Sequence, residues 1–280
     1  MKRICCLLLV LCCLSACSRA EPQWWEESVH VETLREQELT GEGVLVAVLD
    51  SGLASHPDLD GVELLAQPTD QLGHGTFVTG LLASLMPDAS YLPLKITDTG
   101  TRISIDAITA GLEAAEAQGA DVAILSLGLQ EDVPELREAV ESLADTGCLI
   151  FAAVGNDGTD TLYYPAAYDC VIGVGSCNLA FEPSETSQYN ESVLVLAPGV
   201  KLTGPWLDGG YATWKGTSYA VPLAAAMGVA AKSCIPELDM EGFLTILQVS
   251  TNDICEPGYD IRSGWGIIDF EKLCLALEDA

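Results

Sequence analysis

Basic charge is scarce in this chain. Twelve Lys and Arg stand against 41 Asp and Glu, a formal net charge of −29. Two of the twelve, Lys2 and Arg3, sit at the extreme N-terminus. So acidic a protein repels a phosphate backbone, which excludes nucleic acid as a partner. It repels anionic lipid headgroups and attracts cationic peptides. The simplest account of the charge is a well-solvated surface. Long apolar runs are missing too: none reaches the roughly 20 residues of a membrane-spanning helix. There are only 3 histidines. No C-x-x-C pair follows Cys17, which argues against a zinc ribbon. No P-loop occurs, and Gly41-Glu42-Gly43 precedes its strand where a dinucleotide loop would follow one. Low-complexity tracts, Pro/Ser-rich linkers and internal repeats are absent. With 280 residues, 49% of them hydrophobic, the chain is read as one large domain.

Residues 1–16 fall outside that domain. Lys2 and Arg3 lead an apolar stretch of about a dozen residues, the layout of an export signal. The ending "LSAC" (14–17) resembles the bacterial lipoprotein box, which implies lipidation of Cys17 and attachment to a membrane of the cell envelope. Ordinary cleavage after Ala20, releasing a soluble protein, is the alternative. Ser18 after the cysteine suits sorting to the outer membrane in a Gram-negative cell. Residues 17–42 then lead into a domain over 43–280. Beyond the leader, Cys148, Cys170, Cys177, Cys234, Cys255 and Cys274 form an even set, which in an exported chain suggests disulfides.

From Gly43 onwards, apolar runs of strand length alternate with helical segments. "GVLVAVLD" (43–50), "YLPLKI" (91–96), "DVAILSLG" (121–128), "CLIFAAVGN" (148–156), "CVIGVGS" (170–176) and "SVLVLAPG" (192–199) read as strands. Pro93 hints at an edge or bulge. Helices are expected over 75–85, 104–119 (Ser104 cap, Gly119 stop), about 132–146, near 217–232 and 239–250, and close to the C-terminus. Residues 201–214 read as a hairpin around Asp208-Gly209-Gly210. The alternation predicts an α/β fold, a doubly wound and mostly parallel sheet with helices on both faces. Ligand groups in such folds gather beyond the carboxyl ends of the strands.

Polar residues stand at those ends. Asp50 closes the first strand, Ser126-Leu127-Gly128 the third, and Asn156 the fourth. His74 and Ser218 open helices that reach the same rim. Each has an ordinary reading alone, as turn residue, satisfied histidine or helix cap. Together they make the constellation of a nucleophilic hydrolase.

The flanks "VAVLDSG", "GHGTFVTG", "AAVGN" and "KGTSYAVP" resemble the signature segments of the subtilisin-like serine proteases, in that family's chain order. "ILSLG" and "YYPAAYDCVIGVG" resemble the segments that line its substrate cleft. The resemblance runs from about Trp24 to Asp269. It implies peptide-bond hydrolysis of peptide or protein substrates, with Ser218 as nucleophile, His74 as general base and Asp50 orienting the imidazole. Asn156 is implied as oxyanion donor together with the Ser218 N–H. Ser126, Leu127, Gly128, Ala153, Gly155 and Tyr163 are implied to bind substrate. A monomer without cofactor is expected.

The chain departs from the family at several points. Phe77 stands where a second histidine is usual, and Tyr219 where methionine follows the serine. The segment after Gly80 is too short for the loop that often holds calcium; Asp58 resembles one ligand of that site but lacks partners, so no strong site is expected. The stretch from Ser18 to Thr40 is too short for a folding pro-domain, so no self-processing is expected. Tyr163 replaces a common glycine near the pocket floor and can favour small side chains; Asp157 and Asp160 can favour basic ones. The competing functional reading is a catalytically inactive peptide-binding protein on the same fold.

Overall fold

The computed structural model describes residues 23–98 and 103–278. Residues 1–16 and the Cys17 lipidation position lie outside them. Eleven strands appear among the described residues: β1 (Leu45–Asp50), β2 (Glu63–Leu64), β3 (Ser90–Lys95), β4 (Val122–Leu125), β5 (Leu149–Ala153), β6 (Val171–Cys177), β7 (Val195–Pro198), β8 (Leu202–Pro205), β9 (Tyr211–Trp214), β10 (Thr251–Asn252) and β11 (Ile267–Ile268). The helices are α1 (Val31–Glu36), α2 (His74–Leu85), α3 (Ile105–Gln118), α4 (Pro134–Asp145), α5 (Thr217–Cys234), α6 (Met240–Val249) and α7 (Phe270–Glu278).

Nine strands form one sheet in the order β10-β11-β7-β6-β5-β4-β1-β3-β2. Only the β10–β11 pair is antiparallel. The chain winds outward from β1 to β3, then returns to β4 on the other side of β1 and continues to β7. Right-handed crossovers make that reversal send helices to opposite faces. Thus α3 packs with α4, and α2 with α5. Crevices open where the winding reverses, here between β1 and β4, whose carboxyl ends carry Asp50 and Ser126. Pro93 is tolerated because β2 is so short: it pairs only with Ser90 and Tyr91. The expected hairpin is β8–β9.

Helix α5 is the spine of the core. All its residues are buried except Ser218, Ser233 and Cys234. Such a helix is apolar all round because structure surrounds it. Alanine and glycine keep it thin: a Cβ at Gly228 would stand 2.7 Å from Phe151.

The expected disulfides are not formed; all six cysteines are free thiols. The sheet register gives the reason for two neighbours. Ile150 pairs with Val171, which sets Cys170 level with Leu149 rather than Cys148. With a side-chain period of two, the thiols of Cys148 and Cys170 leave by opposite faces. Cys177 ends β6, at the far end of the parallel pair.

Candidate active site

Asp50 is the last residue of β1 and 6% exposed. Its carboxylate accepts the Ser51 N–H at 2.7 Å and faces His74 Nδ1 at 2.8 and 2.9 Å. His74 opens α2. The start of this helix needs glycine on both sides of the histidine. Gly73 has φ 83°, and a Cβ there would meet the Trp206 ring at 2.6 Å; a Cβ on Gly75 would come 2.3 Å from the Gly52 carbonyl.

The start of α2 is held by a carboxylate the sequence did not single out. Asp70, 5% exposed, accepts the N–H groups of Leu72, Gly73 and Thr76 and the Thr76 hydroxyl, at 2.7–3.0 Å. Burial alone would raise its pKa, but these hydrogen bonds outweigh burial and lower it. Asp70 lies three residues before the helix cap, Gly73, so no cap pattern marks it in the sequence. Burial also opposes charge on His74. Attraction to Asp50, the hydrogen bond to Asp50 and the more distant Asp70 prevail, and the imidazole pKa stands above 6.5.

Ser218 is the second residue of α5, whose cap is Gly216. The helix therefore starts one residue before the serine, not at it. Pro222 lies inside the helix and costs it one backbone hydrogen bond. A helical N–H at 222 would bond to the carbonyl of residue 218, and proline has none. The vacated Ser218 carbonyl instead accepts the Ser126 hydroxyl at 2.8 Å. Reciprocally, the Ser218 hydroxyl donates to the Ser126 carbonyl at 3.1 Å. It makes no hydrogen bond to His74.

Asn156 follows β5. Its Oδ1 accepts the Thr217 N–H at 2.8 Å. A backbone N–H can only donate, so the contacting atom is the amide oxygen. That leaves Nδ2 directed away from Thr217, with no hydrogen bond among the described residues. The Ser218 N–H lies in the first turn of α5, where donors lack helical partners.

Asp50, His74, Ser126, Leu127, Gly128, Ala153, Gly155, Asn156, Tyr163 and Ser218 all line one cleft of about 830 Å³; Ile96, Ile103 and Trp214 extend it. Asp157 lines it as well. Phe77 and Tyr219, the two departures beside the triad positions, pack on each other edge to face with centroids 4.7 Å apart, and Tyr219 lies 5.2 Å from the His74 ring. The missing histidine and methionine are thus replaced by one aromatic unit. Burial raises the Tyr219 hydroxyl to about 12, so this ring is neutral. Asp58 accepts the Tyr211 hydroxyl at 2.6 Å, and its other oxygen is buried without a hydrogen-bond partner.

A serine at a helix start, a carboxylate-bound imidazole and a free amide donor on one rim are the machinery of serine-type endopeptidases. This chain belongs to the subtilase family, whose model matches residues 41–266. It is 35% identical to subtilisin BL of Lederbergia lenta over 228 residues, 76% of this chain and 85% of that protein. It is 30% identical to the minor extracellular protease Epr of Bacillus subtilis over 265 residues, 89% of this chain but only 41% of that longer protein. Among solved structures, the prenylagaramide maturation protease PagA superposes with a TM-score of 0.80 at 23% identity, covering 88% of this chain and 98% of that one. At that identity the likeness is one of fold.

Proposed function

We propose that this chain is an exported serine endopeptidase that cleaves peptides or proteins through an acyl-enzyme. The observation that carries the proposal is the meeting, at one rim, of the Asp50-bound His74 imidazole with Ser218 at the start of α5. Ser218 Oγ attacks the scissile carbonyl carbon. His74 takes the hydroxyl proton and delivers it to the leaving amine. Asp50, itself held by the Ser51 N–H, fixes the imidazole tautomer and offsets the imidazolium charge. The tetrahedral oxyanion receives the Asn156 Nδ2 and the Ser218 N–H, and the α5 dipole favours the negative charge there. Water then releases the acyl group by the same route in reverse. The substrate backbone lies along Ser126–Gly128 as an added strand.

This mechanism requires the Ser218 side chain to turn from the Ser126 carbonyl to His74. Catalytic hydrogen bonds of this kind tighten when substrate fills the site. The same rotamer is what favours the second reading, a protein that binds peptides without cutting them. A fluorophosphonate probe separates the two. Labelling of the wild-type chain, abolished by Ser218→Ala, supports the endopeptidase; peptide binding without labelling supports the binding protein.

Export and lipid attachment through Cys17 rest on the leader and the "LSAC" box. Among the described residues no helix is long and apolar enough to cross a membrane. The curated relative Epr is described as extracellular, in keeping with export. Metabolic labelling with a fatty-acid analogue, lost on Cys17→Ser, is the expected result. The chain acts as a monomer in this reading, without nucleic acid or cofactor.

A further inference from the structure

We propose that Tyr163 plugs the slot that receives the substrate side chain next to the scissile bond, so that only glycine, alanine or serine is accepted there. This rests on the endopeptidase reading, because it concerns how that same cleft chooses its substrates.

The slot is set by the sheet. The β4–β5 ladder ends at the pair Leu125 and Ala152. Past it the two backbones, Ser126–Gly128 and Ala153–Gly155, form the walls of the cleft. A carbonyl placed between Ser218 Oγ and the Asn156 amide directs the side chain on its acyl side between those walls. Tyr163 is already there. A Cβ on Gly128 would lie 2.8 Å from Tyr163 Cδ1, and a Cβ on Gly155 would lie 2.8 Å from Tyr163 Cδ2. Opposite edges of one ring therefore press on opposite walls, and both walls need glycine to admit it. A second ring or a long aliphatic chain has no room at that level.

The plug is fastened at both ends. Its backbone is held because the next residue, Tyr164, exchanges two hydrogen bonds with Leu129, at 2.7 and 2.8 Å. Its hydroxyl accepts Gln130 Nε2 at 2.9 Å and donates to the Asp157 carboxylate. Gln130 continues one wall and Asp157 the other, so the hydroxyl spans the slot. The ring can swing out only by giving up both contacts. The arrangement also decides between the two specificities the sequence left open. The nearer acidic group, Asp157, is engaged by Tyr163, and the ring lies between the walls where a lysine or arginine would have to pass. Small residues remain.

The test uses the purified full chain and chromogenic tetrapeptide amides that differ only in the residue before the scissile bond: alanine, phenylalanine or lysine. For the wild type, kcat/KM for the alanine peptide is expected to exceed the other two by at least about tenfold, the scale set by misfit of a few methylenes. Tyr163→Gly is expected to raise phenylalanine over alanine. Should that variant fail to fold, Asp157→Asn and Gln130→Ala unlatch the ring and narrow the ratio in the same direction. Wild-type cleavage of the phenylalanine or lysine peptide as fast as the alanine peptide would overturn the proposal. A readout independent of catalysis keeps it separate from the endopeptidase reading. In the Ser218→Ala chain, the peptide acid ending in alanine should bind more tightly than that ending in phenylalanine, and equal affinities would overturn the plug. Diisopropyl fluorophosphate, too small to need the slot, reports on Ser218 reactivity alone.

Discussion

The reaction centre and the specificity slot share one cleft but are fixed by different means. At the reaction centre Asp50 is tied to the Ser51 N–H, Asn156 to the Thr217 N–H and Ser126 to the Ser218 carbonyl, and His74 is held by Asp50. Those backbone groups belong to strand ends and a helix start, which the packed core holds in place. In the slot the working part is one partly exposed side chain, Tyr163, held by the side chains of Gln130 and Asp157. Geometry fixed by backbone survives changes of neighbouring residues, whereas a latch made of side chains is lost with a single substitution. The chemistry is therefore built to stay constant and the substrate choice to vary.

That contrast can be broken in steps of decreasing size. Ser218→Ala removes the nucleophile and should lower kcat by about 10⁶-fold, the scale known from subtilisin, a relative. Asn156→Ala should cost about 10²–10³ in kcat with little change in KM, because its amide meets the oxyanion only; that range too comes from subtilisin. Changes at Tyr163 should instead alter the ratio of kcat/KM values between peptides. An Asn156→Ala effect that depended on which peptide was cut would break the division between the two regions.

Ser126→Ala leaves the Ser218 carbonyl without a partner, since Pro222 cannot supply one. It should lower unfolding stability by about 1–3 kcal/mol, read by denaturant titration in an S218A background that prevents self-digestion. Asp70→Asn sharpens the electrostatic part. The acid limb of the kcat/KM profile reports the free-enzyme His74, which must be neutral to act as base. Its midpoint should lie above 6.5 in the wild type and move to lower pH in D70N. Folding has its own sign. The Asp70 carboxyl titrates below 3.8 when folded, so its stabilisation is present above that pH and fades as pH falls through the folded value. D70N should lack this part of the acid sensitivity. The smallest effect belongs to the aromatic unit: a double-mutant cycle on Phe77→Leu and Tyr219→Leu should give a coupling of about 0.5–1.5 kcal/mol.

The core strands and long helices were legible because their apolar runs, Ser104, Gly119 and the Asp208-Gly209-Gly210 turn act locally. Helix α1 escaped notice: it has six residues and a cap, His30, that makes no side-chain cap hydrogen bond. Strands β2, β10 and β11 have two residues each and exist only through their partners in the sheet. Asp70 was one acidic residue among 41, and nothing local distinguishes a buried carboxylate from a solvated one. The cysteines misled because an even count says nothing about distance or facing.

By itself the sequence determined the order of the core strands and long helices and the rim on which Asp50, His74, Asn156 and Ser218 collect, which follow from local pattern and from the handedness of crossovers that short-range sterics impose; the roles of those residues came from the resemblance of their flanking segments to the subtilisin-like proteases. Only the tertiary structure decided that the Pro222 gap is filled by Ser126, that Phe77 and Tyr219 form one unit, and that Tyr163 lies between Gly128 and Gly155. Each of these is a contact between residues distant in sequence, and its distance is set by packing, which no local pattern encodes.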